Sequence, residues 1–382
     1  MQVKAILFVT NSSQLENAPL RSATAFVEVL GRSLLGHWIE QLRRHSVSEI
    51  TVIAESDHEA LHGLEGVEVI CAGEGVNLWR AGELTFIRMS DPDTDGILLA
   101  RAEQYAEIDW SELVRHHLYF NNRMTRVIHG GTQQPLDIYA IDPGRRNDAA
   151  YSMRSGLRET RTQGVRYATR DNEYFNPLRD GRDLRRLAAD ALYGRCQLRP
   201  EGREARPGVW LGEGARIEKG ARLVAPVYVG RRTRVRLGAV ITRGSSLEHH
   251  CTADCGTIVD DTSVMPYTAI GPGLDVSGAV VGEGRLLHLK RNVCIELNDP
   301  RLVREQPARL PVRLFKGTAR LLSYLPQQVW RGAKMNGARE PAIGSGACVK
   351  DFNTAFGKGV KGKPELPHLT PDLAVMRRYG NQ

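Results

Sequence analysis

Cysteine is scarce in this chain of 382 residues: there are six, and only Cys251 and Cys255 lie close together. So few thiols in so long a chain do not make a disulfide framework, and they point to a reduced, cytoplasmic setting. Aromatic residues make up only 6%. No basic stretch interleaves with them as in a single-strand binder, and zinc-finger, KH-type and RNP-type motifs are absent, so nucleic acid is not an expected partner. No apolar run approaches the roughly 18 residues of a membrane helix. Ala5-Ile6-Leu7-Phe8-Val9 is too short for a signal-peptide core and lacks a cleavage site, so a buried first strand is expected there. What is present, 41% apolar and 25% charged residues, excludes wholesale disorder. At roughly 100–200 residues per domain the length leaves room for two or three cores. A net charge of +8 admits a polyanion, such as an acidic lipid or a phosphorylated sugar. Glycine is in excess: 38 residues, above the typical ~7%, and densest from the middle of the chain onward.

That excess accompanies an internal repeat. Stepping by six from Leu211 gives Ile217, Leu223, Val229, Val235, Ile241, Leu247, Ala253, Val259 and Met265. Stepping by six from Ala215 gives Ala221, Val227, Thr233, Ala239, Ser245, Cys251, Thr257, Ser263 and Ala269. The first column is apolar throughout, and the second is small or β-branched. A six-residue period excludes an α-helix, whose stripe recurs every 3.6 residues. It predicts a parallel β-helix in which each hexad forms one side, the larger aliphatic points inward and the small residue sits near the corner. The register is expected to slip at Ile270 and to resume with Val281, Leu287 and Val293. The first zone alternates strand and helix signals. Strands are expected at 5–9, 50–54, 67–70 and 97–99, with helices at 34–44 and 111–117, which suggests a parallel sheet wound on both faces.

Three segments carry a resemblance: Lys4-Ala5-Ile6-Leu7, the run from Val27 through Gly31-Arg32-Ser33-Leu34 to Leu42, and Ser48-Glu49-Ile50-Thr51-Val52-Ile53. They resemble the sugar-phosphate nucleotidyltransferases, the NDP-sugar pyrophosphorylases, many of which carry a C-terminal hexapeptide-repeat left-handed β-helix. The resemblance implies an α/β fold class. A doubly wound, Rossmann-like nucleotidyltransferase domain over 1–200 would be followed by a left-handed parallel β-helix over 205–297, then by a basic C-terminal helix and extended tail over 298–382.

The resemblance departs from the family where the chemistry lies. The family motif after the first strand is A-A-G-x-G-T-R-L, followed by P-K. Its glycines let the backbone wrap phosphates, and its cations neutralise charge on the attacked phosphorus. Here the loop reads Thr10-Asn11-Ser12-Ser13-Gln14, with Asn11 and Ser13 at the glycine places and Ala23-Thr24 at the P-K place. Thr10, Asn11, Ser12, Ser13 and Arg21, the last as a displaced cation, are the expected substrate-binding residues. Glu103 stands where the family holds Mg²⁺, and no carboxylate follows at the second metal position around Tyr174-Phe175-Asn176. The resemblance therefore implies a catalytically degenerate relative with no catalytic residue assigned, serving sugar-nucleotide or surface-polysaccharide assembly in a binding, scaffolding or regulatory role. Mg²⁺ is the implied cofactor if the site is active, and an NDP-sugar or sugar phosphate the implied ligand. An active nucleotidyltransferase using substitute residues is the first alternative.

Other features stay open. His249-His250-Cys251 and Cys255 have zinc-ligand types, but Cys251 falls in the small inward column. A histidine on a turn, His249, His250 or His288, would suit a hexapeptide-repeat acyltransferase, the second alternative. Arg231, Arg232, Arg234, Arg236 and Arg243 would line outward faces as a solvated surface or a polyanion groove. Residues 301–334 are basic and apolar, interrupted by Pro307, Pro311 and Pro326. They are expected to cap the β-helix, or to contact an anionic inner-membrane surface or a polysaccharide-assembly protein. A homo-oligomer is expected, assembled through the β-helix and tail.

Overall fold

A computed structural model describes residues 2–11, 14–45, 47–72, 77–157 and 165–306. Residues 2–306 belong to one compact unit. The 307–334 part of the basic segment and the tail lie outside the described residues. The fold is mixed α/β with parallel sheets. Among the described residues no helix is long and apolar enough to cross a membrane.

The first sheet has seven strands: Val3–Val9 (β1), Glu49–Ala54 (β2), Glu68–Cys71 (β3), Gly96–Arg101 (β4), Met124–Ile128 (β5), Pro135–Ile141 (β6) and Val165–Ala168 (β7). Their order is β7-β5-β6-β4-β1-β2-β3. β1 pairs in parallel with both β2 and β4, while β6 runs antiparallel between β4 and β5. Both faces are covered, as the near-continuous apolar run of β1 requires. Ala5, Leu7 and Val9 share one core with Trp38 and Leu42 of α1 (Leu34–Arg44) and Leu113 of α3 (Trp110–Tyr119). Ile6 and Phe8 share another with Phe86 of α2 (Leu78–Met89) and Met153 of α4 (Arg146–Arg154). Ser33 starts α1 by accepting a hydrogen bond from Gly36 N at 3.1 Å, and Leu34, Leu35, Trp38, Ile39 and Leu42 form its buried face. A fifth helix, α5 (Gly181–Leu192), precedes the repeat.

From Val209 onward the strands shorten to two to four residues and visit three sheets in turn, and each strand from Val209–Leu211 through Ser263–Val264 pairs in parallel with the third strand after it. Leu211, Val229, Leu247, Val264 and Val281 are in register on the first side. Ile217, Val235, Ala253 and Ile270 are in register on the second, and Leu223, Ile241, Val259 and Val276 on the third. They form one shared apolar interior in which Val235 and Ile241 are fully buried. The small column lies at the corners, where its hydroxyls replace backbone partners. Thr233 Oγ1 donates to Glu248 O at 2.6 Å and accepts from Cys251 N at 3.0 Å. Thr262 Oγ1 reaches Val276 O at 3.3 Å and accepts from Ala279 N at 3.3 Å. A small polar residue therefore fits better there than alanine wherever a carbonyl of the next circuit would go unpaired.

The slip comes earlier than expected. It falls at Asp261 and not at Ile270, because that corner turns with one left-handed residue (φ 46°) where the preceding circuit used two, Arg243 and Gly244. Val264 and Thr262 consequently take the places expected for Met265 and Ser263, and Thr268 that of Ala269. Met265 is still buried, but against the α/β core. The six-step through Val281, Leu287 and Val293 does not continue the parallel stack. Ala279–Gly282, Arg285–His288 and Val293–Glu296 pair antiparallel, and Val293 is exposed. The start of the basic segment returns as Val303–Glu305, antiparallel to Thr268–Ile270.

Outward residues separate the sides. On the first side Tyr228, Ser246, Ser263 and Val280 are buried, and Tyr228, Val280, Met265 and Leu287 join the core of the α/β part. On the second side the outward residues include Arg216 and Arg234, both exposed. The α/β part packs on the side whose outward strand residues are uncharged except for Glu248, which is buried at the contact.

Candidate functional site

Ligands of open α/β sheets bind beyond the carboxyl ends of strands where the strand order reverses. Here that point lies between β1 and β4, because the chain runs outward through β1, β2 and β3 and then returns to the other side of β1. The residues leaving these two ends are Thr10 and Glu103. They meet: Thr10 Oγ1 donates to Glu103 Oε1. Two of the expected site residues, taken from distant segments, are thus brought together.

Glu103 is not disposed as a metal ligand. Its other oxygen is paired with the guanidinium of Arg101, and the two side chains are 10% and 5% exposed. Arg101 is further held by Gly156 O at 3.1 Å and lies over the Trp79 ring at 5.9 Å. A buried carboxylate whose charge is neutralised by a buried guanidinium has little left to offer a hard cation, which needs several oxygens around it. Asn176, at the second expected metal position, is a fully buried structural amide, donating to Asp183 O at 2.8 Å and accepting from Leu178 N at 3.0 Å. Among the described residues no group of three or more His, Cys, Asp or Glu could hold a metal ion. The residues present therefore do not fit Mg²⁺, nor does the His249–Cys255 segment form a zinc site. Cys251 is buried, with its thiol pushed up by burial.

The remaining expected residues disperse. Asn11 N donates to Glu55 Oε2 at 2.7 Å, and its amide exchanges hydrogen bonds with Ser56. Ser12 and Ser13 lie outside the described residues. Arg21 is no substitute cation beside Thr10: its side chain is 80% exposed and faces Glu283, and its backbone N–H donates to the same carboxylate at 3.1 Å. Of the five arginines expected on outward faces, Arg236 and Arg243 are paired with Asp254 and Asp260 at 3.0 and 3.2 Å.

A second concentration of polar chemistry lies where the α/β part meets the repeat. Glu248 is fully buried and accepts from Leu30 N at 3.0 Å and Gly31 N at 2.8 Å. Burial, with the charge of Glu28 adding to it, pushes its carboxyl up to about 8 against those two hydrogen bonds. Tyr228 lies so close that a Cβ on Gly31 would meet its hydroxyl at 2.2 Å, and burial beside Glu248 raises this phenol too. His249 Nδ1 meets Glu28 Oε2 at 2.5 Å. The partnership of His249 is not visible in the repeat pattern, and neither Arg101 nor Glu248 carries a motif. Their roles arise from docking one part of the chain on another. The chain matches no family model and no curated protein.

Proposed function

We propose that this chain is a nucleotidyltransferase-like protein of bacterial sugar-nucleotide or surface-polysaccharide biosynthesis that has lost nucleotidyl transfer and serves by binding or scaffolding. In this reading the three-sheet stack is a left-handed hexapeptide β-helix and the seven-stranded sheet a doubly wound nucleotidyltransferase-like domain. The observation that carries it is the Thr10–Glu103–Arg101 arrangement at the point where the strand order reverses. A working site needs a carboxylate free for a cation there and cations free for phosphate. Instead the carboxylate and the cation neutralise each other. Asn11 and Ser13 in place of the glycines support the same reading, since a side chain hinders close backbone approach to a phosphate.

The test is pyrophosphate release from the four common nucleoside triphosphates with hexose 1-phosphates and Mg²⁺. No release above buffer is expected. Release that disappears in Glu103→Ala overturns the proposal. A second reading, acyl transfer, draws on the His249–Glu28 pair, a carboxylate-oriented imidazole of the kind that serves as a general base. Acetyl-CoA-dependent acylation of a sugar acceptor, lost in His249→Gln, would favour it over the first.

A further inference from the structure

One backbone requirement recurs at two corners of the stack and is met in two ways. Between the second and third sides the left-handed corner residue of successive circuits is Gly220, Gly238, Gly256 and Gly273, with φ of 83°, 71°, 69° and 62°. Between the first and second sides it is Gly214 at 68°, then Arg232 at 56°, His250 at 56° and Tyr267 at 58°. Side chains are disfavoured in this conformation, and strain kept at consecutive equivalent positions is a pointer to function.

The three side chains leave one corner in consecutive circuits, about 4.8 Å apart. The rings of His250 and Tyr267 stack at 5.0 Å and 14°. His249 stands edge-on to both, at 5.2 and 4.8 Å, while its Nδ1 is held by Glu28. Arg231 and Arg232 are exposed, and among the described residues neither forms an ion pair with a carboxylate, in contrast to Arg236 and Arg243. The charges of Glu59, Glu28, Arg231 and Arg232 all act on the Tyr267 phenol. The 59–61 turn of the α/β part is thus within electrostatic range of the corner.

We infer that this corner is a binding site for a phosphate-bearing small molecule, with its phosphate on the guanidinium groups of Arg231 and Arg232 and its sugar or base against the stacked His250 and Tyr267 rings. Arg231 and Arg232 are adjacent in sequence and exposed, and a guanidinium presents several N–H donors in one plane, which suits a multiply charged phosphate. The ring pair supplies a flat apolar face. The column spans two strand spacings, about 10 Å, which suits a mononucleotide or sugar phosphate and not a polymer track. The inference stands apart from the reading of the β1–β4 switch point.

The test is binding of sodium pyrophosphate, glucose 1-phosphate and UDP-glucose to the full chain, by isothermal titration at pH 7 in low salt. At least one sugar-bearing probe is expected to bind at least tenfold more tightly than pyrophosphate. Arg232→Gly, which suits the backbone better than arginine, is expected to weaken that probe at least tenfold without lowering the melting temperature. Arg231→Gln should weaken it similarly. The inference is overturned if no probe binds at 5 mM, or if both variants bind within twofold of the parent. It also fails if Asn11→Ala at the switch point, and not Arg232→Gly, removes binding. Equal affinity for pyrophosphate and the sugar-bearing probes removes the role assigned to the rings.

Discussion

The switch point of the sheet and the corner of the stack hold charge in opposite ways. At the switch point Arg101 is closed on Glu103, Glu103 on Thr10, and Asn11 on Glu55 and Ser56. At the corner Arg231 and Arg232 are exposed and, among the described residues, form no ion pair with a carboxylate, and three side chains hold a conformation that glycine serves one corner away. A fold places its ligand crevice by topology, but only unsatisfied chemistry keeps a crevice useful. The location the topology favours is internally neutralised, while the location no fold rule indicates retains free charge and strain.

The largest effect tests the scaffold on which both regions rest. Val235→Asp sets an unpaired charge in a fully buried column, costing more than about 4 kcal/mol. Its neighbour Arg234→Asp, on the exposed face, is expected to change stability by under about 1 kcal/mol. Circular dichroism melts compare the pair. A Val235→Asp protein melting within a few degrees of the parent means that the inward columns are wrongly assigned.

The next effect sharpens the account of the switch point. Glu103→Ala strands a buried guanidinium and is expected to destabilise by about 3–5 kcal/mol in urea unfolding. Adding Arg101→Met removes the stranded charge, so the double variant should recover most of that loss. A metal-ligand role for Glu103 predicts the opposite pattern: little loss of stability for the single variant, and stabilisation of the parent by millimolar Mg²⁺.

Glu248 gives a comparable effect, read through pH. Its folded-state value of about 8 lies above the ordinary 4.5, so the folded protein holds a proton that the unfolded chain has released. Stability from this group is therefore full below about pH 4.5, falls as pH rises towards 8, and is level above it. At about 1.4 kcal/mol per pH unit, this shift corresponds to a fall of at most about 5 kcal/mol. Glu248→Gln should abolish it, because an amide does not titrate, whatever its effect on absolute stability. Parallel urea midpoints for the two proteins from pH 5 to 9 would remove Glu248 from the account.

Local pattern made much of the fold legible. The apolar run at Ala5–Val9, the 3.6-residue stripe of α1 and the six-residue columns each follow from which faces must be buried. The displaced slip was legible only in part, since Val264 and Met265 are both apolar and both buried. What separates them is that Val264 faces the stack's own interior and Met265 the α/β core. The site was less legible for the same reason. Thr10 and Glu103 could be named only through the resemblance, which matched their segments to the family's loop and metal positions. That Arg101 would claim the carboxylate, or that Glu28 would meet His249 across 221 positions, follows from packing no local pattern encodes. Arg231 and Arg232 stood out in a basic run and His249 and His250 as a histidine pair, but Tyr267 did not, and the left-handed backbone of Arg232, His250 and Tyr267 appears only once the circuits are aligned.

The smallest effect bears most directly on the corner comparison. Gly256 has φ of 69° and open space where a Cβ would stand. Gly256→Ala therefore isolates the backbone cost of a side chain in the left-handed region, about 1–2 kcal/mol. Arg232→Gly runs the exchange in reverse. It relieves the same strain but gives the unfolded chain more freedom, worth about 0.4–1 kcal/mol, so a net gain of about 0.5 kcal/mol is expected. Opposite signs at the two corners, measured as urea midpoints with unchanged slopes, mean that arginine is kept at a standing cost in stability. A loss from Arg232→Gly comparable to that from Gly256→Ala shows instead that the arginine stabilises the stack, and the argument from strain to a ligand then fails.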